Sequence, residues 1–339
     1  MFDSARVLHT QVHGPASLEV ARDLAASADV IIALGATDSA FARHRRAVQL
    51  MRQLRPLPAR DLLETEIELS FNEINLLQDG TALVRMRDAL ERARRLTPPP
   101  WDMIAMGEAA TIVPYHNQQQ PAEAEAAFLR AEMALQRDTS PTQRHRTALA
   151  FVGQSLMLRG QPAKAEPRIR QLLTLTERRL GASHYLTAQA QNLLARVMME
   201  LGRFDEGRAL IDSAITNNEA AIARDPMYLG EMYVTRTGFE IKLRDWKAAE
   251  RSLAQAAGQR ERIGKQQRPI LDVSLLYTRA ALEEGRGRLA EARRLFILAA
   301  TQARSTLPAG AKNIGIADAR LRAFTARHPD QASGQAPGS

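Results

Sequence analysis

Cysteine is missing from this 339-residue chain. That excludes a disulfide framework, a thiolate nucleophile and a cysteine-built zinc site, and it fits a reducing compartment. Aromatic residues make up 5% of the chain, too few for a platform on which nucleic-acid bases stack. No apolar run approaches the ~20 residues that a membrane span needs. The opening MFDSARVLHTQVHG has neither the charged start nor the apolar core of a signal peptide. A soluble, cytoplasmic protein is expected. Lysine is scarce as well, occurring only at Lys164, Lys242, Lys247, Lys265 and Lys312. The formal charge of +8 and the pI near 10.2 therefore rest on arginine.

An arginine bias of this kind often reflects a GC-rich genome. Its functional reading is an acidic partner or a nucleic-acid backbone. The basic clusters are Arg43, Arg45 and Arg46, then Arg92, Arg94 and Arg95, then Arg293 and Arg294. They read as solvated faces interleaved with Glu and Asp. Enzyme motifs are missing: there is no phosphate-cradling glycine loop, zincin helix or nucleophile elbow. No catalytic residue, cofactor or metal site is expected. Gly285-Arg286-Gly287 reads as a helix–helix turn. His9 and His13 could chelate a metal from one helix face, but no third ligand is near. His44, inside an arginine run, is expected to be exposed. Glu64, Glu66, Glu68, Glu283 and Glu284 read as surface charges, solvated or paired with arginine. Met103, Met106, Met198 and Met199 read as core filler.

What the chain does have is a spacing. Gly160, Gly202 and Gly287 form a series with Arg244 in its one gap, in steps of 42, 42 and 43 residues. Five positions after each comes a small residue: Ala165, Gly207, Ala249, Ala292. A period of this size means a stacked array. Apolar residues fall at helical spacing nearly throughout. Helix pairs are predicted at 16–34 with 37–54, 58–78 with 81–96, 100–117 with 121–137 and 141–159 with 162–180. Further pairs follow at 184–201 with 204–223, 227–243 with 246–263 and 269–285 with 288–305. A single helix, 311–327, closes the series. Ser140 before Pro141 and Asp225 before Pro226 look like capped helix starts.

The second helix of each pair carries a small–large–small signature. It reads Ala124, Phe128, Ala131; Gly207, Ile211, Ala214; Ala249, Leu253, Ala256; and Ala292, Phe296, Ala299. Ala165, Ile169, Leu172 keeps two of the three. Spacings of four and seven place the three on one helical stripe. Small residues let helices approach closely, and the large one fills the space between pairs. The first helix has its own small residue twelve positions earlier: Gly153, Ala195, Thr237, Ala280, and Ala28 before Ala40.

This pattern resembles the tetratricopeptide repeat in a ~42-residue form similar to that of kinesin light chains. GASHYLTAQAQNLLARVMMELG, from Gly181 to Gly202, and GPASLEVARDLAASADVIIALG, from Gly14 to Gly35, share glycine at both ends and alanine at two places between. The core Asn192, Leu193, Leu194, Ala195 resembles the kinesin-light-chain Asn-Leu-Ala phrase, with one leucine added. The usual first-helix tryptophan is missing: Trp246 opens a second helix and Trp101 sits at a pair boundary. The resemblance is strong for 141–305 and weak for 58–120. A HEAT or armadillo array has a similar period, and the small–large–small stripe favours the tetratricopeptide reading.

The resemblance implies an all-α, superhelical α-α solenoid of about seven helix pairs with a C-terminal capping helix. Residues 1–13 read as the tail of an incomplete repeat, 14–305 as the array (14–140 degenerate, 141–305 clearer) and 306–328 as the cap. Residues 329–339 read as a disordered tail. The incomplete first unit suggests the C-terminal part of a longer protein. In such arrays the first helices line the concave side. By register its residues are Arg22, Asp29, Thr147, Gln154, Gln189, Asn192, Arg196, Met199, Glu231, Val234, Ser274, Tyr277 and Glu284. Their mix of amide, charged and apolar groups suits a bound peptide. The expected function is a non-catalytic protein-interaction scaffold. The alternatives are the regulatory region of a bacterial Ser/Thr kinase or winged-helix regulator in signal transduction, and an arginine-rich nucleic-acid binder.

Overall fold

The computed structural model describes residues 2–33, 37–74, 80–118, 120–140, 142–220, 226–265, 267–307 and 311–331. Among the described residues helix is the only regular structure. The helices are α1 Phe2–His13, α2 Leu18–Ala33, α3 Thr37–Gln53, α4 Ala59–Asn72, α5 Gly80–Ala93, α6 Trp101–Asn117, α7 Pro121–Arg137 and α8 Gln143–Leu158. They continue as α9 Pro162–Leu180, α10 Tyr185–Glu200, α11 Phe204–Ala220, α12 Pro226–Lys242, α13 Trp246–Gly258, α14 Arg268–Gly285, α15 Leu289–Thr306 and α16 Lys312–Arg327. They form two compact units, Met1–Ala148 and Leu149–Ser339, with the boundary inside α8.

Within each unit consecutive helices pack as hairpins: α2 with α3, α4 with α5, α6 with α7, α10 with α11, α12 with α13 and α14 with α15. Starts and stops follow local chemistry. Pro121 and Pro162 open α7 and α9 from the first turn, where a missing N–H costs nothing. The Asp245 carboxylate accepts from the Ala248 N–H at 3.0 Å and caps α13. At α8 the cap differs from the sequence expectation. The His145 N–H donates to Thr142 Oγ1 at 3.1 Å, whereas Ser140 turns back to Asp138. Pro141 and Asp225 lie outside the described residues. The inter-helix turns need a left-handed residue: Gly160, Gly202 and Gly287 have φ of 66°, 74° and 79°, and Arg244 has 58°.

The second-helix anchors form one series: Ala40, Ala82, Ala124, Ala165, Gly207, Ala249 and Ala292, all buried. Ala82, Met86 and Ala89 supply the signature in the stretch where the resemblance is weak. In that stretch the paired first-helix slots hold Ser70 and Ile112, and the bulk of Ile112 hides the small-residue pattern that Gly153, Ala195, Thr237 and Ala280 keep. Ala40, His44 and Ala47 are a further copy, each 0% exposed. The expectation that His44 is exposed is therefore corrected: it stands where Phe128, Ile169 and Phe296 stand.

The small slots are sterically required. A Cβ on Gly153 would lie 2.2 Å from Ile169 Cδ1, and one on Gly207 would lie 2.4 Å from Phe239 Cζ. In the first unit the core gathers Phe41, Met51, Leu62 and Leu69. In the second, Phe239 and Ile211 anchor one cluster, and Phe296 another. Helix α16 joins the Phe296 cluster through Ala317 and Phe324, with the two phenyl rings 5.3 Å apart. Pro329–Gln331 forms a 3-10 turn where a disordered tail is expected; residues 332–339 lie outside the described residues.

Candidate interaction face

First helices present two kinds of side chain besides their apolar stripe. One kind is directed between second helices. Glu66 on α4, Glu73 just after its end and Glu108 on α6 are buried, and each is held by arginines on or directly after the second helices on either side. Glu73 accepts from Arg45 at 2.8 Å and from Arg85. Glu66 accepts from Arg52 at 2.8 Å and from Arg92. Glu108 accepts from Arg130 at 3.0 Å and from Arg94. Buried Glu283 on α14 is bound by Arg288. The reading of Glu66 and Glu283 as surface charges is corrected, while their expected pairing with arginine holds; of the cluster arginines, Arg45 and Arg92 stay exposed and Arg94 is half-buried, each with its head group on a buried carboxylate. Burying a carboxylate without such partners would cost several kcal/mol.

The other kind comprises the expected groove residues and their neighbours. In the first unit Arg22 on α2 donates to Asp61 on α4 at 2.7 Å, and that bond raises its pKa. Arg144, at the start of α8, donates to Glu68 at 2.6 Å and to Glu64, with Asp102 at 3.7 Å. Burial pulls the Arg144 pKa down, but the attraction of Glu68 and Glu64 outweighs it and the net shift is upward. The sequence reading named Glu64 and Glu68 as charges solvated or paired with arginine, and Arg144 is the partner it did not name. The signal available was Glu64 and Glu68 one helical turn apart on a first helix. Thr147 is half-buried, and the Asp29 side chain lies outside the described residues.

In the second unit Gln189, Asn192, Arg196 and Met199 follow one stripe of α10. Asn192 is 7% exposed, yet its Oδ1 has no partner among the described residues; the buried Gln189 Nε2 has none either. Arg196 one turn on is exposed. Met199 lies over α12, where a Cβ on Gly238 would come within 3.0 Å of its Cε. Glu231 and Val234 on α12 are half-buried, as is Gln154 on α8.

The remaining three expected residues are engaged internally. Ser274 Oγ donates to the Ile270 carbonyl at 3.0 Å and accepts from Tyr277 at 3.1 Å. The Arg320 guanidinium of α16 lies 4.5 Å from the Tyr277 ring centre. Glu284 accepts from Arg327 at 3.0 Å and lies 2.9 Å from His328 Nε2. Burial alone would raise the Glu284 pKa; the bonds from Arg327 and His328 lower it overall. His9, considered above as a metal ligand, sits 2.7 Å from Asp23. Among the described residues no helix is long and apolar enough to cross a membrane.

No protein-family model and no curated protein matches the chain. Solved structures do. BtubC (BKLC) from P. vanneervenii is 17% identical, with 65% of this chain and 89% of BtubC covered and a TM-score of 0.55. A Rap protein complexed with Competence and Sporulation Factor is 14% identical, with 86% and 81% covered and a TM-score of 0.52. A signal transduction ATPase with numerous domains from Pyrococcus horikoshii, which carries a tetratricopeptide repeat sensor, is 11% identical. There 93% of this chain and 48% of that chain are covered, with a TM-score of 0.55. These likenesses establish the fold: the chain is an all-α, tetratricopeptide-like helical repeat protein.

Proposed function

We propose that this tetratricopeptide-like chain is a non-catalytic scaffold that binds an extended peptide or helix of a protein partner along α10 and α12. The observation that carries the reading is the Asn192 amide, more than nine-tenths buried with Oδ1 unpartnered. An unsatisfied buried polar group costs about 1–3 kcal/mol and calls for an explanation. Oδ1 is closed to solvent in this rotamer, so a peptide N–H supplies one once the amide turns outward to meet it. Gln189 Nε2 offers a donor for a peptide carbonyl, Met199 and Val234 offer apolar contact, and exposed Arg196 offers a cation at the edge. Of the neighbours, Rap was solved with Competence and Sporulation Factor bound and the archaeal ATPase uses its repeats as a sensor; both support a binding role.

The test is a peptide selected from a random library on the intact chain. Asn192→Ala with Arg196→Ala is expected to weaken its binding about tenfold or more, the equivalent of ~1.4 kcal/mol, with an unchanged melting curve. Undiminished affinity in that folded double variant places the binding face elsewhere.

A further inference from the structure

We infer, on the basis of the binding face proposed above, that its peptide is extended and carries an acidic and a basic side chain about four residues apart, with an apolar one midway.

Elsewhere in the chain carboxylates are held by arginine, Glu66, Glu73 and Glu108 among them. Arg196 on α10 and Glu231 on α12 stand apart from that pattern. Neither side chain has a partner among the described residues. Arg196 is exposed and Glu231 is half-buried. A half-buried carboxylate has lost part of its hydration and sits in a lower dielectric than open water. A cation arriving there is therefore attracted more strongly than at a fully wet surface.

The two charges belong to one face. On α10, Asn192, Arg196 and Met199 stand three before, one after and four after the slot residue Ala195. On α12, Glu231, Val234 and Gly238 stand six before, three before and one after the slot residue Thr237. Met199 ties the two stripes together: a Cβ on Gly238 would come within 3.0 Å of its Cε and 3.4 Å of its Sδ. Met199 and Val234 also pack against the same apolar cluster. The equivalents of Glu231 on α10 and α14 are Gln189 and Ser274, and those of Arg196 on α12 and α14 are Gly238 and Ala281. All four are neutral, so these two rows carry one cation and one anion.

Seven helical residues separate the two levels, about 10.5 Å along the axis, and packed helix axes lie about 9 Å apart. On the diagonal the two backbone positions are then about 14 Å apart, a span of about four residues of extended chain. That diagonal passes midway between Asn192 and Val234, which share one level of the register. Residues two apart lie on the same side of an extended chain. The acid, the central apolar residue and the base of such a peptide therefore all face the protein. The acid meets Arg196, the apolar side chain meets Val234 and Met199, the base meets Glu231, and the backbone crosses Asn192. A bound helix would need about nine residues to cover the same distance.

Random peptides displayed on phage, selected in parallel on the intact chain and on its charge-exchanged variant, Arg196→Glu with Glu231→Arg, test this. Wild-type binders are expected to be enriched in an acid and a base about four residues apart, in one fixed order along the peptide. Binders of the exchanged variant are expected to show the opposite order. Each wild-type peptide is expected to bind the exchanged variant at least about tenfold more weakly, because both pairs become repulsive. If the exchanged variant melts early, Glu231→Gln replaces it. Changing the peptide's basic residue to alanine then weakens binding to wild type about threefold or more and leaves binding to Glu231→Gln unchanged. Binders that depend on Asn192 but lack the charge pair overturn the inference and leave the binding face standing. So does an order that fails to reverse, and so does a spacing near about nine residues, the mark of a bound helix. Peptides that bind Asn192→Ala with Arg196→Ala as well as wild type, or an absence of binders, remove the binding face itself.

Discussion

At Arg244 the backbone takes the left-handed conformation that Gly160, Gly202 and Gly287 take at the equivalent turns. An L-residue there pays about 1–2 kcal/mol. Glycine removes that strain and returns part of it as extra freedom of the unfolded chain. Arg244→Gly is therefore expected to stabilise the protein by about 0.5–1 kcal/mol, a rise of roughly 2 °C in melting temperature for a unit of this size. Thermal denaturation followed by circular dichroism checks it; a fall in melting temperature contradicts the turn assignment. The gap at Arg244 was legible in the sequence because the spacing on both sides fixed its place. His44 was less so. Its arginine neighbours suggest a wet surface, whereas its burial is set by Ala40 and Ala47, four before and three after it. Register outranked local polarity at that residue.

Elements meet here through small slots and through buried carboxylates; the slots were legible, and of the carboxylates the arginine pairing was expected but not the burial. A glycine or alanine at a fixed period shows itself in sequence. A glutamate on a helix looks the same whether water or two arginines surround it, because its partners come from helices that are distant in the chain. Glu240 on α12 shows what an incomplete set of partners does. It is buried and accepts from Ser252 at 3.1 Å, with Arg236 Nε at 3.3 Å, while its Oε2 has no partner among the described residues. Burial raises its pKa, and Ser252 and Arg236 only partly oppose that. A carboxyl with a raised folded-state pKa helps stability most below its unfolded value, and that contribution disappears as pH climbs through the folded value. Glu240→Gln removes the titration. The variant is expected to gain most over wild type near pH 8, by about 1 kcal/mol. The gain should shrink towards pH 4.5, the ordinary value of a glutamate. Melts of both proteins across that range report it, and a gap that widens on acidification reverses the argument.

For the molecule as a whole, the repeat spacing named the class of fold, while composition alone left open what the arginines do. A formal charge of +8 invites a nucleic-acid reading only if the cations are bare. In the three basic clusters Arg45, Arg92 and Arg94 bind buried glutamates, and Arg294 binds Glu291 at 2.7 Å. Elsewhere Arg170 and Arg203 share Glu166 and Glu206, and Arg260 takes Asp272 at 2.7 Å. An arginine already neutralised by its own chain releases no counterion when a phosphate arrives, and counterion release supplies essentially all of sequence-independent affinity. The face proposed along α10 and α12 carries amides, apolar groups and Glu231, with Arg196 as an exposed cation. Fluorescence anisotropy with a labelled duplex and a labelled single strand is therefore expected to show no saturable binding near 150 mM salt, where unshielded basic stripes still hold nucleic acid. Saturable binding that falls steeply as salt rises would mean that phosphate competes successfully with these internal carboxylates, and the scaffold reading would then give way to the nucleic-acid one.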